Sequence, residues 1–391
     1  MDTTAFRDEL IRLRQHRGLS YRQLSALSAV SHSLINDLEK GDRRPTFKVV
    51  AALDTALNAR GRLTATLRTS TPDDVEGEFE ALELAQRAAA SDVSGETLEA
   101  LEHDANLMAM AYATTPPAEL LPRVRRYLRF VDQLLDGRKT LKQHRRLLVV
   151  GGWLSLLRAT LHIDLGQRGP AAAHMKVAAG LADQTDQPEI TAWALETRAW
   201  DELIRGNYRQ AVELSRHAQA VGPPDGSAIV QATAQEGRAW ARLGDPVASR
   251  KALRRVEAMA ESRTPPQHPE HHYQYDPAKA HSYAATTLAW SGDPAAEQVA
   301  RDVIAELEAD GARPRRIASA RLDLGLALLT GTKPRADEAA AQARAAIRSG
   351  RIVPSNWWRV DELVTSVARA GSPEASDLRE EAATARPTGD P

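Results

Sequence analysis

Apolar residues recur every three or four positions along most of the chain, which is the spacing that gives an α-helix one buried face. Over residues 1–63 the apolar positions form four short stripes separated by polar residues and glycine. These stripes are Phe6, Leu10 and Leu13; Leu24 and Leu27; Ile35 and Leu38; and Val49, Val50, Leu53 and Leu57. The alternating β-branched runs that are typical of strands are missing from the sequence. The pattern therefore predicts an all-α protein that begins with four short helices.

The second and third of these helices have clear start and stop signals. Ser20 and Gln23 have the spacing of a capping box, in which each side chain bonds the backbone of the other residue. Ser31 can cap a helix over residues 32–40, and Gly41 can end it because glycine readily adopts positive φ. Only three residues separate the two helices, which predicts a helix-turn-helix motif.

Polar side chains occupy the face of the third helix that its apolar stripe leaves outward. Such a helix can enter the major groove of DNA, where Asn36 can pair with adenine and Asp37 can accept a hydrogen bond from cytosine. Residues 1–63 carry eleven Lys and Arg against seven Asp and Glu, and this positive balance favours DNA contact. The alternative is a four-helix module that only stabilises the chain or binds a protein. The predicted DNA-binding residues, including those expected to reach phosphates, are Ser20, Tyr21, Arg22, Ser31, His32, Ser33, Asn36, Asp37, Lys40, Arg43 and Arg44.

This segment resembles the XRE family of helix-turn-helix regulators, also called Cro/lambda-repressor-like. The matching motifs are Arg14, Gly18-Leu19-Ser20, Leu24-Ser25, Ala29-Val30-Ser31, Ile35, Glu39-Lys40-Gly41 and Arg43-Arg44-Pro45. The resemblance covers about sixty of the 391 residues. It implies double-stranded DNA as a partner, and it implies that Arg14 and Glu39 form a buried structural pair.

Three positions depart from the family pattern. Tyr21 replaces the usual Gln, Ser25 replaces a tightly packed Ala, and Ala29 replaces the Gly of the turn. If the backbone at position 29 needs positive φ, Ala costs about 1 kcal/mol there relative to Gly.

A helical repeat is predicted in the rest of the chain. Five glycines recur along this part of the chain, and the residue seven positions before the glycine is small in four of the five cases. A small residue there lets the two helices of a pair approach closely. The spacings between these glycines are 40, 38, 48 and 39 residues, the rhythm of antiparallel helix pairs. The repeat glycines are Gly166, Gly206, Gly244, Gly292 and Gly331. The array resembles degenerate tetratricopeptide (TPR) repeats over residues 147–350, with a closing helix over 357–370.

The patterns together predict the domain organisation. A helix-turn-helix domain over residues 1–63 and a linker over 64–76 precede a TPR-like α-solenoid over 77–383 and a disordered tail over 384–391. This combination is similar to the peptide-sensing RRNPP regulators and, more closely, to actinobacterial XRE regulators with degenerate TPR regions. The first group would imply a peptide ligand, whereas the second implies little about the ligand. Since family members bind DNA in pairs, the resemblance also implies a homodimer on an inverted-repeat operator.

The concave face of a TPR array is lined by the first helix of each pair. If the loop glycine is position 15 of its helix, an aromatic and polar set faces inward, and it could grip a peptide or a small molecule. The alternative is that each Trp at helical spacing belongs to the core, but Arg238 and Lys279 cannot share a dry core unpaired. The predicted ligand-binding residues are Trp153, Trp193, Trp200, Gln231, Arg238 and Lys279.

The sequence offers little for catalysis or metal binding. It has no cysteine and none of the common catalytic or nucleotide-binding motifs, so we predict no enzymatic activity, no metal and no cofactor. His268, His271 and His272 lie in a Pro-rich insertion without the acidic pattern of a zinc site, and no role is assigned to them. We interpret the arginines around Pro314 as a solvated face.

These observations lead to one main hypothesis and one alternative. No apolar run approaches the ~18 residues that span a bilayer, which favours a cytoplasmic protein without membrane contact. We predict a sequence-specific DNA-binding transcriptional regulator whose TPR-like domain dimerises and senses a peptide or small-molecule ligand. The alternative is a non-catalytic interaction scaffold whose repeat domain binds a protein partner.

Overall fold

A computed structural model describes residues 3–59, 61–67, 93–264, 266–310, 313–330 and 333–386. Over these residues the chain forms nineteen α-helices and no strand, so the all-α prediction is confirmed. The chain divides into two compact units, residues 1–90 and 91–391.

Five helices form the described part of the first unit. They are α1 (Thr3–His16), α2 (Tyr21–Ser28), α3 (His32–Lys40), α4 (Phe47–Ala56) and α5 (Arg62–Leu67). The predicted caps are present, because Ser20 and Gln23 bond each other's backbone N–H and the Ser31 hydroxyl accepts from the Leu34 N–H. Phe6, Leu10, Leu24, Ile35, Leu38 and Leu53 meet in one fully buried core.

One predicted core position of this unit is wrong. Leu27 is 60% exposed, whereas Ser28 faces the interior and donates its hydroxyl hydrogen to the Leu24 carbonyl at 2.7 Å. The short helix therefore buries positions four apart rather than three apart, and the serine is tolerated in the core because its hydroxyl is satisfied.

The turn between α2 and α3 contains a left-handed alanine. Ala29 has φ 55° and ψ 17°, a conformation that strains any residue with a Cβ atom. We expect Ala29→Gly to stabilise the first unit by about 1 kcal/mol, because glycine adopts this conformation without the steric cost. Chemical denaturation monitored by circular dichroism measures the effect. Ala26→Gly on the exposed face of α2 is the control, where the same change should destabilise the unit instead.

The second unit is an array of helices joined by short turns. Local signals start several of them: Thr140 and Gln143 form a second capping box, and Pro188, Pro246 and Pro314 each occupy a first helical position, where a missing N–H costs little. The helices are α6 (Gly95–Ala111), α7 (Pro117–Asp136), α8 (Leu141–Asp164), α9 (Arg168–Gln184), α10 (Pro188–Ile204), α11 (Tyr208–Val221), α12 (Ser227–Arg242), α13 (Pro246–Glu261), α14 (Ala278–Ser291), α15 (Ala296–Asp310), α16 (Pro314–Leu329), α17 (Ala336–Arg348), α18 (Trp357–Arg369) and α19 (Ala375–Ala385). A single 3₁₀ turn, Pro354–Asn356, precedes α18.

The predicted helical repeat is confirmed. Gly166, Gly206, Gly244 and Gly292 have φ between 66° and 79°. Gly292 directly follows the last residue of its helix, and one residue separates each of the other three from the helix end. Gly331 lies outside the described residues. Small residues permit the close pairing of helices. A Cβ atom on Gly237 of α12 would come within 3.1 Å of the Ala252 Cβ on α13.

The boundaries differ in detail from the sequence expectation. The predicted linker begins at residue 64, where α5 continues to Leu67, and residues 68–76 lie outside the described residues. The predicted tail begins at residue 384, where α19 continues to Ala385, and residues 387–391 are likewise not described. The remaining limits of the two segments stay predictions.

One helix of the described residues, α8, is long and apolar enough on average to cross a bilayer, although Arg158 interrupts its longest uncharged run. The apolar window of α8 is 83% buried within the helical array. Burial of this kind is ordinary for the central helix of a bundle, and α8 packs between its neighbours α7 and α9.

The array is wound so tightly that its end returns to its beginning. Asp164, at the end of α8, accepts hydrogen bonds from the Tyr112 hydroxyl at 2.8 Å, from Arg315 Nη2 at 3.0 Å and from the Ser355 hydroxyl at 3.0 Å. These donors are 52, 151 and 191 residues away in sequence. We call this cluster the Asp164 junction, and it joins the ends of α6 and α8 to α16 and to the 3₁₀ turn before α18.

Candidate functional site

The outward face of α3 is polar, as a DNA-reading helix requires. His32, Ser33 and Lys40 are exposed, and Asn36 and Asp37 are half-buried. Ile35, Leu38 and Glu39 are buried on the opposite side of the same helix. The helix therefore presents a row of hydrogen-bonding groups that is anchored by its apolar side.

The orientation of this helix is fixed by an ion pair between Arg14 of α1 and Glu39 of α3. Arg14 Nε and Nη2 donate to the two carboxylate oxygens of Glu39 at 2.6 and 2.7 Å, and Arg14 Nη1 donates to the Leu19 carbonyl at 3.0 Å. The hydrogen bonds to Glu39 raise the pKa of Arg14. Glu39 is almost fully buried, so the pair positions α3 against α1.

Tyr21 is part of the same arrangement. Its hydroxyl donates to Glu39 Oε2 at 3.0 Å, and its ring lies 4.3 Å from the Arg14 guanidinium carbon. The side chain expected at a phosphate thus makes its polar contact inside the protein. The other predicted phosphate contacts are exposed: Ser20, Arg22, Arg43 and Arg44.

The second unit encloses a cavity of about 270 Å³ between the inner faces of its helices. Five of the six predicted ligand-binding residues line it, namely Trp193, Trp200, Gln231, Arg238 and Lys279. Trp153 is not in the lining, because its ring packs at 4.9 Å against the ring of Tyr273. The lining also includes charged and aromatic residues, among them Tyr112, Glu196, Glu270, His272, Tyr283, Arg313, Arg315, Arg316, Asp323 and Arg359.

Residues 266–277, the described part of the Pro-rich insertion before α14, close this cavity, and we call them the strap. The His272 N–H donates to the Ala109 carbonyl at 3.1 Å, and the His272 ring lies 4.2 Å from the ring of Tyr112. Tyr273 packs at 5.4 Å against Trp193. The strap therefore connects the longest inter-helix segment of the repeat to α6, the first helix of the unit.

The three histidines of the insertion do not form a metal centre in the described part of the chain, where no group of three potential ligands is close enough to hold an ion. Burial lowers the pKa of His271 to about 4 and lowers that of His272 well below its usual value. Both are therefore neutral at physiological pH, and they act as packing and hydrogen-bonding groups of the strap.

Four arginines stand in the cavity wall with carboxylate partners. Arg313 and Arg316 share Glu270 and Asp276 at 2.8 to 3.5 Å. The other two pairs are Arg315 with Asp164 and Arg359 with Asp323. The interpretation of the arginines around Pro314 as a solvated face is therefore wrong, because Arg313, Arg315 and Arg316 are only 15 to 20% exposed. We call Arg313, Arg315, Arg316 and Arg359 the wall arginines.

Three other charged groups of the lining have no such matched partner. Arg238 donates to the Gln235 side chain and stacks on the Tyr283 ring at 4.6 Å, and its Nε is buried without an acceptor among the described residues. Lys279 Nζ donates to the Gln274 carbonyl at 3.2 Å. Burial raises the pKa of Glu196 to about 7 and lowers the pKa of Lys279 to about 8.

Sequence reasoning missed Glu196, although a signal for it was present. Trp193, Glu196 and Trp200 are spaced by three and four residues, so one face of α10 carries all three. Titratable groups with strongly shifted pKa values cluster at functional sites, and Glu196 and Lys279 meet that description in one cavity.

The comparisons with known proteins concern the first unit. A family model described as a helix-turn-helix domain matches residues 5–67. No curated protein matches the chain. The family match and the geometry of α2 and α3 agree on a DNA-binding regulator of the helix-turn-helix type.

Proposed function

We propose that this chain is a sequence-specific transcriptional regulator whose helical-repeat unit senses a small molecule in the central cavity. The observation that carries the proposal is the charged cavity of the second unit in a chain that also contains a helix-turn-helix unit. The buried Nε–H of Arg238 has no acceptor among the described residues, which is costly in a merely structural array, so this group favours a binding site. The regulator is expected to act in the cytoplasm, where bacterial DNA is accessible.

A small molecule is favoured over a peptide by the strap and the Asp164 junction. An extended peptide would need an open concave surface, and both features close the inner side of the array. A TPR-like interaction scaffold, the alternative function, is disfavoured for the same reason, since its partner would also need that surface.

The proposed mechanism is a shift between two curvatures of the array. A ligand that prefers one curvature changes the DNA affinity of the regulator, and linkage requires DNA to change ligand affinity by the same factor, commonly ~5–150-fold. We propose a homodimer on an inverted-repeat operator with half-sites ~34 Å apart. Analytical ultracentrifugation tests the dimer, and a strict monomer both free and on DNA would contradict it.

The experiment that tests the proposed function is a fluorescence-anisotropy titration with the DNA upstream of the chain's own coding region. A regulator should bind that DNA in ~0.2 M salt and should discriminate against a scrambled duplex of equal length. The scaffold alternative predicts only weak binding that this salt concentration abolishes.

Base reading by α3 is tested with two substitutions. We expect Asn36→Ala to relax the preference at one operator position at a cost of ~1–3 kcal/mol, because an amide that pairs with adenine is lost. Arg43→Ala should weaken all sequences alike, because a phosphate contact carries no sequence information. A binding assay with a library of operator variants measures both effects, and Gln15→Ala on the exposed end of α1 is the control. An unchanged base profile in Asn36→Ala would remove this residue from the reading set.

A further inference from the structure

We infer that the cavity binds a compact organic acid with one negative charge, its carboxylate held between Arg238 and Lys279 and its apolar body against Trp193 and Trp200. The inference rests on the proposed function and specifies the ligand of that same cavity.

The first support is the balance of charge in the cavity. Each of the wall arginines is matched by a carboxylate, so these four pairs contribute no net charge. Arg238 and Lys279 remain, and Glu196 is the one acid of the lining left to balance them. Counted together with Asp164 and Asp276, which pair with its arginines, the described lining therefore carries one surplus positive charge when Glu196 is ionised, which one carboxylate of a ligand would neutralise.

The second support is the hydrogen-bonding state of the two cations. Arg238 is held in place by its stacking on Tyr283 and by the Gln235 side chain, and its buried Nε–H has no acceptor among the described residues. Lys279 makes one hydrogen bond, to a backbone carbonyl. Both residues line the cavity and retain donors that suit a carboxylate.

The third support is the size and the lining of the cavity. A volume of about 270 Å³ suits a compact small molecule and is small for an extended peptide of several residues. Trp193 and Trp200 provide apolar surface on one wall. The indole N–H of Trp193 is already bonded to Glu189 Oε1 at 3.0 Å, so this almost fully buried side chain adds apolar contact and no free donor to the lining.

A single charge is favoured over a phosphate because of Glu196. A dianion would need two surplus positive charges, and the cavity has two only while Glu196 is protonated. The pKa of Glu196 is raised to about 7 by burial, and the pKa of Lys279 is lowered to about 8 by burial. The charges that face Glu196 are Arg238 and Lys279, and those that face Lys279 are Arg313, Arg316, Glu270 and Asp276.

The test is isothermal titration calorimetry on the full chain with ligands of similar size and different charge. Phenylacetate, 3-phenylpropanoate and hexanoate supply one negative charge, phenylacetamide none, phenethylamine a positive charge and phenyl phosphate two negative charges. We expect at least one of the three acids to bind, and phenylacetamide and phenethylamine to bind about tenfold more weakly than the best acid. Failure of all three acids to bind, or equal affinity for the amide or the amine, overturns the inference. If phenyl phosphate binds more tightly than the best acid at pH 7, the inference that the ligand carries a single negative charge is overturned.

Variants locate the bound acid. Arg238→Gln and Lys279→Met should each reduce acid affinity about tenfold or more, and Arg254→Gln on the exposed face of α13 should not change it. Thermal denaturation of each variant separates this effect from misfolding. If Arg238→Gln folds and binds the acid as wild type does, the carboxylate is not at Arg238 and the inference fails.

The pH profile gives a second readout. Rising pH first ionises Glu196 near 7 and then neutralises Lys279 near 8, so acid affinity should fall steadily from pH 6 to pH 9. Glu196→Gln should remove the part of the fall near pH 7 and should strengthen binding at pH 8. A flat profile in the wild-type protein would contradict the proposed geometry.

The result for the ligand is separable from the result for the function. If an acid binds through Arg238 but does not change the anisotropy of the operator complex, the ligand inference stands and ligand control of DNA binding fails. If DNA binding responds to a neutral or cationic compound and the acids do not bind, the proposed function stands and the inference of an organic-acid ligand fails.

Discussion

Arg14→Ala is expected to destabilise the first unit by ~3–5 kcal/mol, which would leave most molecules without a folded helix-turn-helix. The substitution leaves the Glu39 carboxylate buried, with the Tyr21 hydroxyl as its remaining side-chain donor. It also removes the donor to the Leu19 carbonyl, which lies in the chain between α1 and α2. Operator binding should be lost with the fold.

The measurement is urea denaturation of the full chain by circular dichroism, in which the loss should appear as an early transition of small amplitude. Arg12→Ala is the matched control. Arg12 lies on the same helix and pairs with Glu9 through two contacts of 2.6 and 2.7 Å, but both partners are reached by solvent, so little change is expected. Equal losses for the two variants would contradict the role given to burial.

A compensated variant sharpens the test. Arg14→Met combined with Glu39→Leu and Tyr21→Phe removes the charges and the hydroxyl together, so no side-chain polar group of the cluster is left unpaired, although the Leu19 carbonyl loses its donor. Most of the lost stability should return, because an apolar replacement of a buried pair is often neutral. No recovery would mean that the pair stabilises the unit through more than the avoidance of an orphan charge.

Asp164→Ala should have an effect of similar size on the second unit. Asp164 is fully buried, and its removal leaves the Arg315 guanidinium without its carboxylate and two hydroxyls without their acceptor. We expect a loss of ~3–5 kcal/mol and a fall in the melting temperature on the order of 10 °C. Differential scanning calorimetry of the full chain measures the change.

Two further variants distinguish charge from hydrogen bonding at this position. Asp164→Asn keeps an acceptor for one of the hydroxyls and removes the negative charge, so it should destabilise the unit less than Ala. Asp183→Ala, on the exposed face of α9, is the control for the loss of an aspartate and should change little. A melting temperature of Asp164→Ala close to that of Asp183→Ala would show that the junction does not hold the array together.

Local features were the ones that the sequence could predict. Capping at Ser20 and Ser31 depends on residues three positions apart, and the glycines that end the repeat helices act on their own backbone. The inward set on α8, α10, α12 and α14 followed from helical periodicity together with the TPR-like repeat, and five of its six members line one cavity. Periodicity failed at Leu27 because two rotations of a short helix fit the same residues, and tertiary packing selects between them.

Long-range features could not be predicted in this way. The strap contacts α6 across 165 residues, as in the contact between His271 and Asn106 at 3.3 Å. The arginines around Pro314 looked solvated because their carboxylate partners lie 37 to 151 residues away. Such contacts depend on how far the array winds, and the winding is the sum of many small rotations between neighbouring helices.

The Asp164 junction also bears on how this protein could have changed in evolution. In an open solenoid each repeat touches only its neighbours, so whole repeats can be gained or lost and folding can begin anywhere. Here the bond between Asp164 and Ser355 spans 191 residues, and one repeat more or fewer would move the two groups out of register. The number of repeats is therefore fixed by closure, and the unit should fold as a single cooperative block with a high contact order and a correspondingly slow rate. Native-state hydrogen exchange should then show similar protection in α8 and α16, although they lie far apart in the chain.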